Sequence, residues 1–227
     1  MQDAPGARRD DSSPPTPLTG HRPGRYLALG DSYTIGEGID AAGRWPVQLA
    51  NALRAQGVDI ADPQIIATTG WTTDELSAAI DAAGPLGTYD LASLLIGVNN
   101  QYRGRDLANY RVEFTALLQR AIGFAGGRSA RVLVLSIPDW GATPYGAGAG
   151  RDLRQTADEI DAFNAAAGAI CATHGVPFVD ITPISRAQGD DERDGDFADD
   201  GLHYSAAMHA RWVQAALPAA RHALAQA

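Results

Sequence analysis

The chain has one cysteine, Cys171, in 227 residues. A single thiol excludes an internal disulfide and any cysteine-based zinc site. It sits in an alanine-rich helical stretch, Ala165 to His174, with no glycine-rich turn or base beside it, so it reads as a small packing residue. Positive charge is also scarce. There are 18 Lys and Arg against 27 Asp and Glu, a net charge of −9. That balance argues against a nucleic-acid-binding face or a polybasic membrane patch, and it suits neutral or cationic substrates better than phosphate-rich ones. No apolar run approaches the length of a membrane-crossing helix, so no stable membrane insertion is expected. Residues 1–24 are rich in Pro, Ser, Asp, Arg and Gly and lack the apolar core of a signal peptide. They read as a disordered N-terminal arm, and residues 25–227 as one domain. The sequence as it stands implies a cytoplasmic protein; removal of a leader would make it secreted or periplasmic. Nothing in it speaks to oligomeric state.

What the chain does have is an alternation of short apolar runs and longer helical patterns. Arg25–Leu29, Gln64–Ala67, Leu91–Ile96, Arg131–Ile137 and Pro177–Asp180 read as strands. Between them, Trp45, Leu49 and Leu53 stripe one helix face, Thr72-Thr73-Asp74-Glu75 offers cap chemistry for a helix through Ile80, and Leu107, Tyr110, Phe114 and Ala121 form another stripe. Asp152–His174 reads as a long helix. Ser205–Leu217 closes the chain, with continuation past Pro218 through a kink. Five strands alternating with helices predict an α/β fold, a three-layer α/β/α sandwich around a mostly parallel, flavodoxin-like sheet. Ligands in such sheets bind beyond the carboxyl ends of the strands.

The chemically able residues fall at those ends. Ser32 follows the first strand in Leu29-Gly30-Asp31-Ser32-Tyr33. Asp200 and His203 follow the fifth, three residues apart in Asp200-Gly201-Leu202-His203. Serine is a poor nucleophile until a histidine takes its proton and a carboxylate fixes that histidine's tautomer. Asp199 is a rival for Asp200, but the three-residue spacing favours Asp200. Asp31 reads as a turn or cap residue with no chemical role. Trp71, Tyr102, Trp140 and Tyr145 fall in loops near the expected mouth and are read as pocket-lining residues. Gly36-Glu37-Gly38-Ile39-Asp40-Ala41 superficially fits a dinucleotide fingerprint, but it neither follows a strand directly nor opens a helix. Asp190, Glu192, Asp194, Gly195 and Asp196 imitate part of a calcium loop, yet the twelfth position is Gly201 rather than a bidentate Glu. The acidic loop 189–200 therefore reads as a solvated segment, with no metal and no cofactor expected.

Four blocks in order resemble the SGNH (GDSL-like) hydrolase family: Gly30-Asp31-Ser32, Thr69-Gly70-Trp71, Gly97-Val98-Asn99-Asn100 and Asp200-Gly201-Leu202-His203. The resemblance spans about Arg25 to Leu217. It implies Ser32 as nucleophile, His203 as general base and Asp200 as its orienter, with the N–H groups of Ser32 and Gly70 and the amide of Asn99 forming an oxyanion hole. Asn100 departs from the family's usual Asp, a change expected to touch the hydrogen bonding around Asn99 rather than the triad. No Gly-x-Ser-x-Gly elbow is present, which separates the chain from α/β-hydrolases. The function implied is a serine esterase acting on a small-molecule ester, with short acyl chains favoured because no long apolar lid is visible. An acyltransferase, lysophospholipase or thioesterase on the same site is an alternative. A non-catalytic carbohydrate- or lipid-binding module is an alternative of another class.

Overall fold

The computed structural model describes residues 22–187 and 195–225. Most of the N-terminal arm and half of the acidic loop 189–200 lie outside those residues. Gly24, counted with the arm, makes a parallel bridge to Ile60, with its N–H donating to the Asp59 carbonyl.

Five strands form one sheet: β1 Tyr26–Gly30, β2 Gln64–Ala67, β3 Leu91–Leu95, β4 Val132–Leu135 and β5 Phe178–Val179. Their order is β2-β1-β3-β4-β5, with every pairing parallel. This is the flavodoxin-like order. β1, β3 and β4 are buried along their whole length, as expected of central strands covered on both faces, whose sequences run apolar without alternation.

Among the described residues the helices are α1 Ser32–Ile35, α2 Trp45–Ala55, α3 Thr73–Ala82, α4 Val98–Tyr102, α5 Leu107–Phe124, α6 Pro144–Gly148, α7 Leu153–His174, α8 Thr182–Arg186 and α9 Ala206–Ala225. The long ones start where polar side chains satisfy their free N–H groups. Asp106 caps α5, and Asp152 caps α7. Thr72 and Glu75 form a reciprocal capping box on α3. α9 runs on through Pro218 to Ala225.

α2 and α9 pack against each other, and His209 of α9 is buried between them. It accepts the Trp45 N–H at Nδ1 over 3.1 Å and stacks on Trp212 at 4.6 Å. Burial pushes its pKa down to about 3, so the ring is neutral across the working range. Cys171 is fully buried, and burial pushes its thiol up to about 12.

The sheet positions the site through one register. Gly30 at the end of β1 pairs with Ala67 of β2 on one side and Leu95 of β3 on the other. The three loops that follow therefore leave the sheet side by side. Gly30 itself admits no side chain: a Cβ there lies 2.5 Å from the Leu95 carbonyl oxygen and collides with the Thr34 hydroxyl. Because the strands on both sides hold this backbone, Gly30→Ala is expected to destabilise the fold by about 2–3 kcal/mol. The urea midpoint of the variant measures this; an unchanged midpoint would show that the strand ends are not fixed.

Candidate active site

Ser32 is the first residue of α1, directly after β1. Asp31 is its N-cap, with Oδ1 accepting the Tyr33 N–H at 3.1 Å. The first helical residue keeps its N–H outside the helix's own ladder, available to an acceptor in front of it. Ser32 is 5% exposed. It opens into a cavity of about 140 Å³ that also holds Tyr33, Val98, Asn99, Tyr102, Trp140, Leu202 and His203.

His203 and Asp200 come from one local turn. Phe197 and Tyr204 form an antiparallel bridge, the Ala198 N–H donates to the His203 carbonyl at 2.8 Å, and the Ser205 N–H donates to the Asp196 carbonyl at 2.9 Å. Between these rungs, Asp200 Oδ1 accepts the N–H groups of Leu202 and His203, each at 2.9 Å, while Oδ2 lies 2.5 Å from His203 Nδ1. Burial opposes ionisation of Asp200, but the His203 ring and the two N–H groups outweigh it and hold the carboxyl below its ordinary range. The geometry leaves Nε2 as the imidazole nitrogen not engaged by Asp200. Asp199 is exposed and Asp200 is the carboxylate on the ring.

Asn99 lies in α4, after β3, and lines the cavity. Its Nδ2 donates to the Trp71 carbonyl at 2.9 Å, and the amide's second hydrogen is left over. Gly70 has φ +87°, backbone that favours glycine, and its carbonyl accepts from Arg103 Nη2 at 2.7 Å. Gly70 is not one of the residues lining the 140 Å³ cavity. Asn100, where the family usually has Asp, is fully buried and ties α4 to the start of α3: Oδ1 accepts the Thr73 N–H at 3.1 Å and Nδ2 donates to Thr73 Oγ1 at 2.7 Å. Glu113 of α5 accepts the Thr73 hydroxyl proton, so a carboxylate stands one residue further along this chain of bonds.

Of the aromatic residues read as pocket-lining, Tyr102 and Trp140 line the cavity with their rings edge to face at 5.1 Å. Trp71 does not; it packs half-buried against the core and offers its carbonyl to Asn99. Tyr145 is exposed, and its hydroxyl meets that of Tyr102 at 3.0 Å. Sequence reasoning did not single out Gln101, whose Oε1 accepts the Trp140 indole N–H at 2.8 Å and whose Nε2 donates to Glu159 at 2.7 Å. A buried glutamine beside a cavity-lining tryptophan carries no local pattern that reveals the pairing. Asp196, the described member of the acidic loop's calcium-like pattern besides Gly195, lies 3.2 Å from Arg211. Among the described residues no group of His, Cys, Asp and Glu side chains is arranged to hold a metal ion, and no helix is long and apolar enough to cross a membrane.

Comparison with known proteins decides the family. The model of the GDSL-like lipase/acylhydrolase family matches residues 28–211. The chain belongs to that family. Membership makes it a carboxylic-ester hydrolase, and a triad and oxyanion hole are typical of the family. No curated protein sequence matches the chain. Its fold is similar to that of several solved structures. These include TesA (22% identity, TM-score 0.67, covering 88% of this chain and 99% of that one). The acetylxylan esterase Axe2 from Geobacillus stearothermophilus is also similar (18% identity, TM-score 0.65, covering 88% and 94%). So is the psychrotrophic esterase EstA from Pseudoalteromonas sp. (15% identity, TM-score 0.64, covering 87% and 97%).

The carboxyl group before Ser32 is unusual. Asp31 is fully buried and its Oδ2 has no hydrogen-bond partner. Burial pushes its pKa up to about 7. Raised above the unfolded-state value, it contributes stability that is fully present below about pH 4 and is lost as pH rises through 7. Asp31→Asn keeps an acceptor for the Tyr33 N–H and cannot ionise. The variant is expected to gain on the parent between pH 4 and pH 8 by on the order of a few kcal/mol. Urea unfolding at pH 4, 6 and 8 tests this, and parallel curves for the two proteins would refute it.

Proposed function

We propose that this chain hydrolyses carboxylic esters of short acyl chain through an acyl-enzyme on Ser32. The observation that carries the reading is the Asp200–His203 pair, bonded at 2.5 Å, with His203 in the same cavity as Ser32. His203 takes the Ser32 proton as Oγ attacks the ester carbonyl. The oxyanion is received by the N–H groups of Ser32 and Gly70 and the remaining amide hydrogen of Asn99. His203 then gives its proton to the departing alcohol, and a water activated by the same ring releases the acid. Asp200 steadies the imidazolium at each stage. The short-chain preference follows from size: a cavity of about 140 Å³ is close to one of about 150 Å³ that holds a benzene ring, which is room for an acyl group of roughly six non-hydrogen atoms.

A p-nitrophenyl ester series from acetate to long chains tests both parts. Activity is expected to peak among the short esters and fall away beyond hexanoate. Ser32→Ala is expected to lower turnover by on the order of 10⁶-fold. A flat profile would remove the short-chain reading, and full activity in the alanine variant would remove the mechanism. Asn99→Ala is expected to lower kcat by about 10²–10³-fold with a much smaller change in KM, since the amide serves charge that develops only in the transition state. A loss confined to KM would deny it that role.

A further inference from the structure

The residue after the nucleophile departs from the family's own signature. The family name spells Gly-Asp-Ser-Leu, and this chain reads Gly30-Asp31-Ser32-Tyr33. A leucine there presents only hydrocarbon; a tyrosine adds a ring and a hydroxyl. Tyr33 is 3% exposed and lines the Ser32 cavity. Its ring is held by three others: His203 edge-on at 5.8 Å, Tyr204 at 5.8 Å and Trp212 at 6.0 Å.

Its hydroxyl is set apart by what it does not bind. The other buried tyrosines have partners. Tyr26 meets Ser93 at 2.9 Å, Tyr204 donates to the Asp139 carbonyl at 3.1 Å, Tyr89 donates to Gln64 at 2.6 Å and Tyr110 donates to the Ile96 carbonyl at 3.3 Å. The Tyr33 hydroxyl makes no hydrogen bond among the described residues. Nor does it belong to the polar atoms sealed off without a partner, and the cavity is the opening that Tyr33 lines. A hydroxyl that is neither bonded within the protein nor sealed off is free to bond a polar atom of a molecule that enters the cavity. Burial, together with Tyr204, Asp31, Asp139 and Asp200 nearby, holds the phenol protonated, so it is available as a donor.

We infer that Tyr33 selects the acyl group, its hydroxyl donating to an oxygen carried on a short acyl chain, so that esters of small oxygenated acids such as alkoxy- and oxo-acids are the favoured substrates. The inference rests on the Ser32 acyl-enzyme proposed above. It concerns the acyl side because that part of the ester stays bonded to Ser32 inside the cavity, whereas the alcohol must depart to solvent.

Methoxyacetate and butyrate p-nitrophenyl esters differ by one ether oxygen in place of a methylene. Each kcat/KM is divided by the ester's own hydroxide-catalysed rate, which removes the difference in intrinsic reactivity. The parent enzyme is expected to prefer methoxyacetate by about tenfold after this correction, the worth of one good hydrogen bond. Tyr33→Phe and Tyr33→Leu are each expected to abolish that preference. A corrected preference near one in the parent overturns the inference without any variant. A preference that survives in either variant overturns it as well, since the oxygen is then read elsewhere. Ser32→Ala, run on both esters, separates the two levels: full activity there fails the acyl-enzyme reading and this inference with it, whereas loss of activity with no methoxyacetate preference fails this inference alone.

Discussion

The parallel pairing of β1 with both β2 and β3 places the residues of the proposed site. Gly30 stands opposite Ala67 and Leu95, so the chain leaves three adjacent strands at one level. Within a few residues it delivers Ser32, Gly70 and Asn99. No side chain separates the strand ends, because the space a Cβ would need at Gly30 belongs to Leu95 and Thr34. A one-residue slip in either pairing would move one loop by about 3.3 Å along the sheet, more than a hydrogen bond tolerates.

What the sheet places, α4 fastens. From five helical residues and the one after them, three side chains reach across to the loop and helix start that follow β2. Asn99 takes the Trp71 carbonyl, Asn100 takes both polar groups of Thr73, and Arg103 takes the Gly70 carbonyl and Glu75. Glu75 is also the capping-box residue of α3. Stability and site geometry are thus held by the same bonds. The neutral amide at Asn100 suits its setting: it must both donate to and accept from Thr73 while fully buried, and an amide does both without carrying charge into the interior.

The sequence was legible where periodicity or a resemblance spoke. Gln64–Ala67 was read to the residue, the other strands within two residues at either end, and the long helices from their stripes and caps. The short helices α1, α4, α6 and α8 went unread because four or five residues show no period. Ser32 itself was read only as following the first strand, and it lies at the start of one of them. The partner of His209 was invisible for a different reason: Trp45 lies 164 residues away in the chain, and only the packing of α2 on α9 joins them. Trp71 illustrates a third limit. A loop position near the mouth states where the backbone goes, not where the ring turns, and this ring turns toward the core.

Asp200 and His203 are bonded within a turn that closes on itself between Phe197 and Tyr204. Their mutual geometry is therefore set locally, and only their distance from Ser32 depends on the rest of the molecule. The two residues behave as one cassette: a displacement of the turn carries both away together and leaves the pair intact. Such a unit meets Ser32 as one body, the tip of one bridged turn against one strand end.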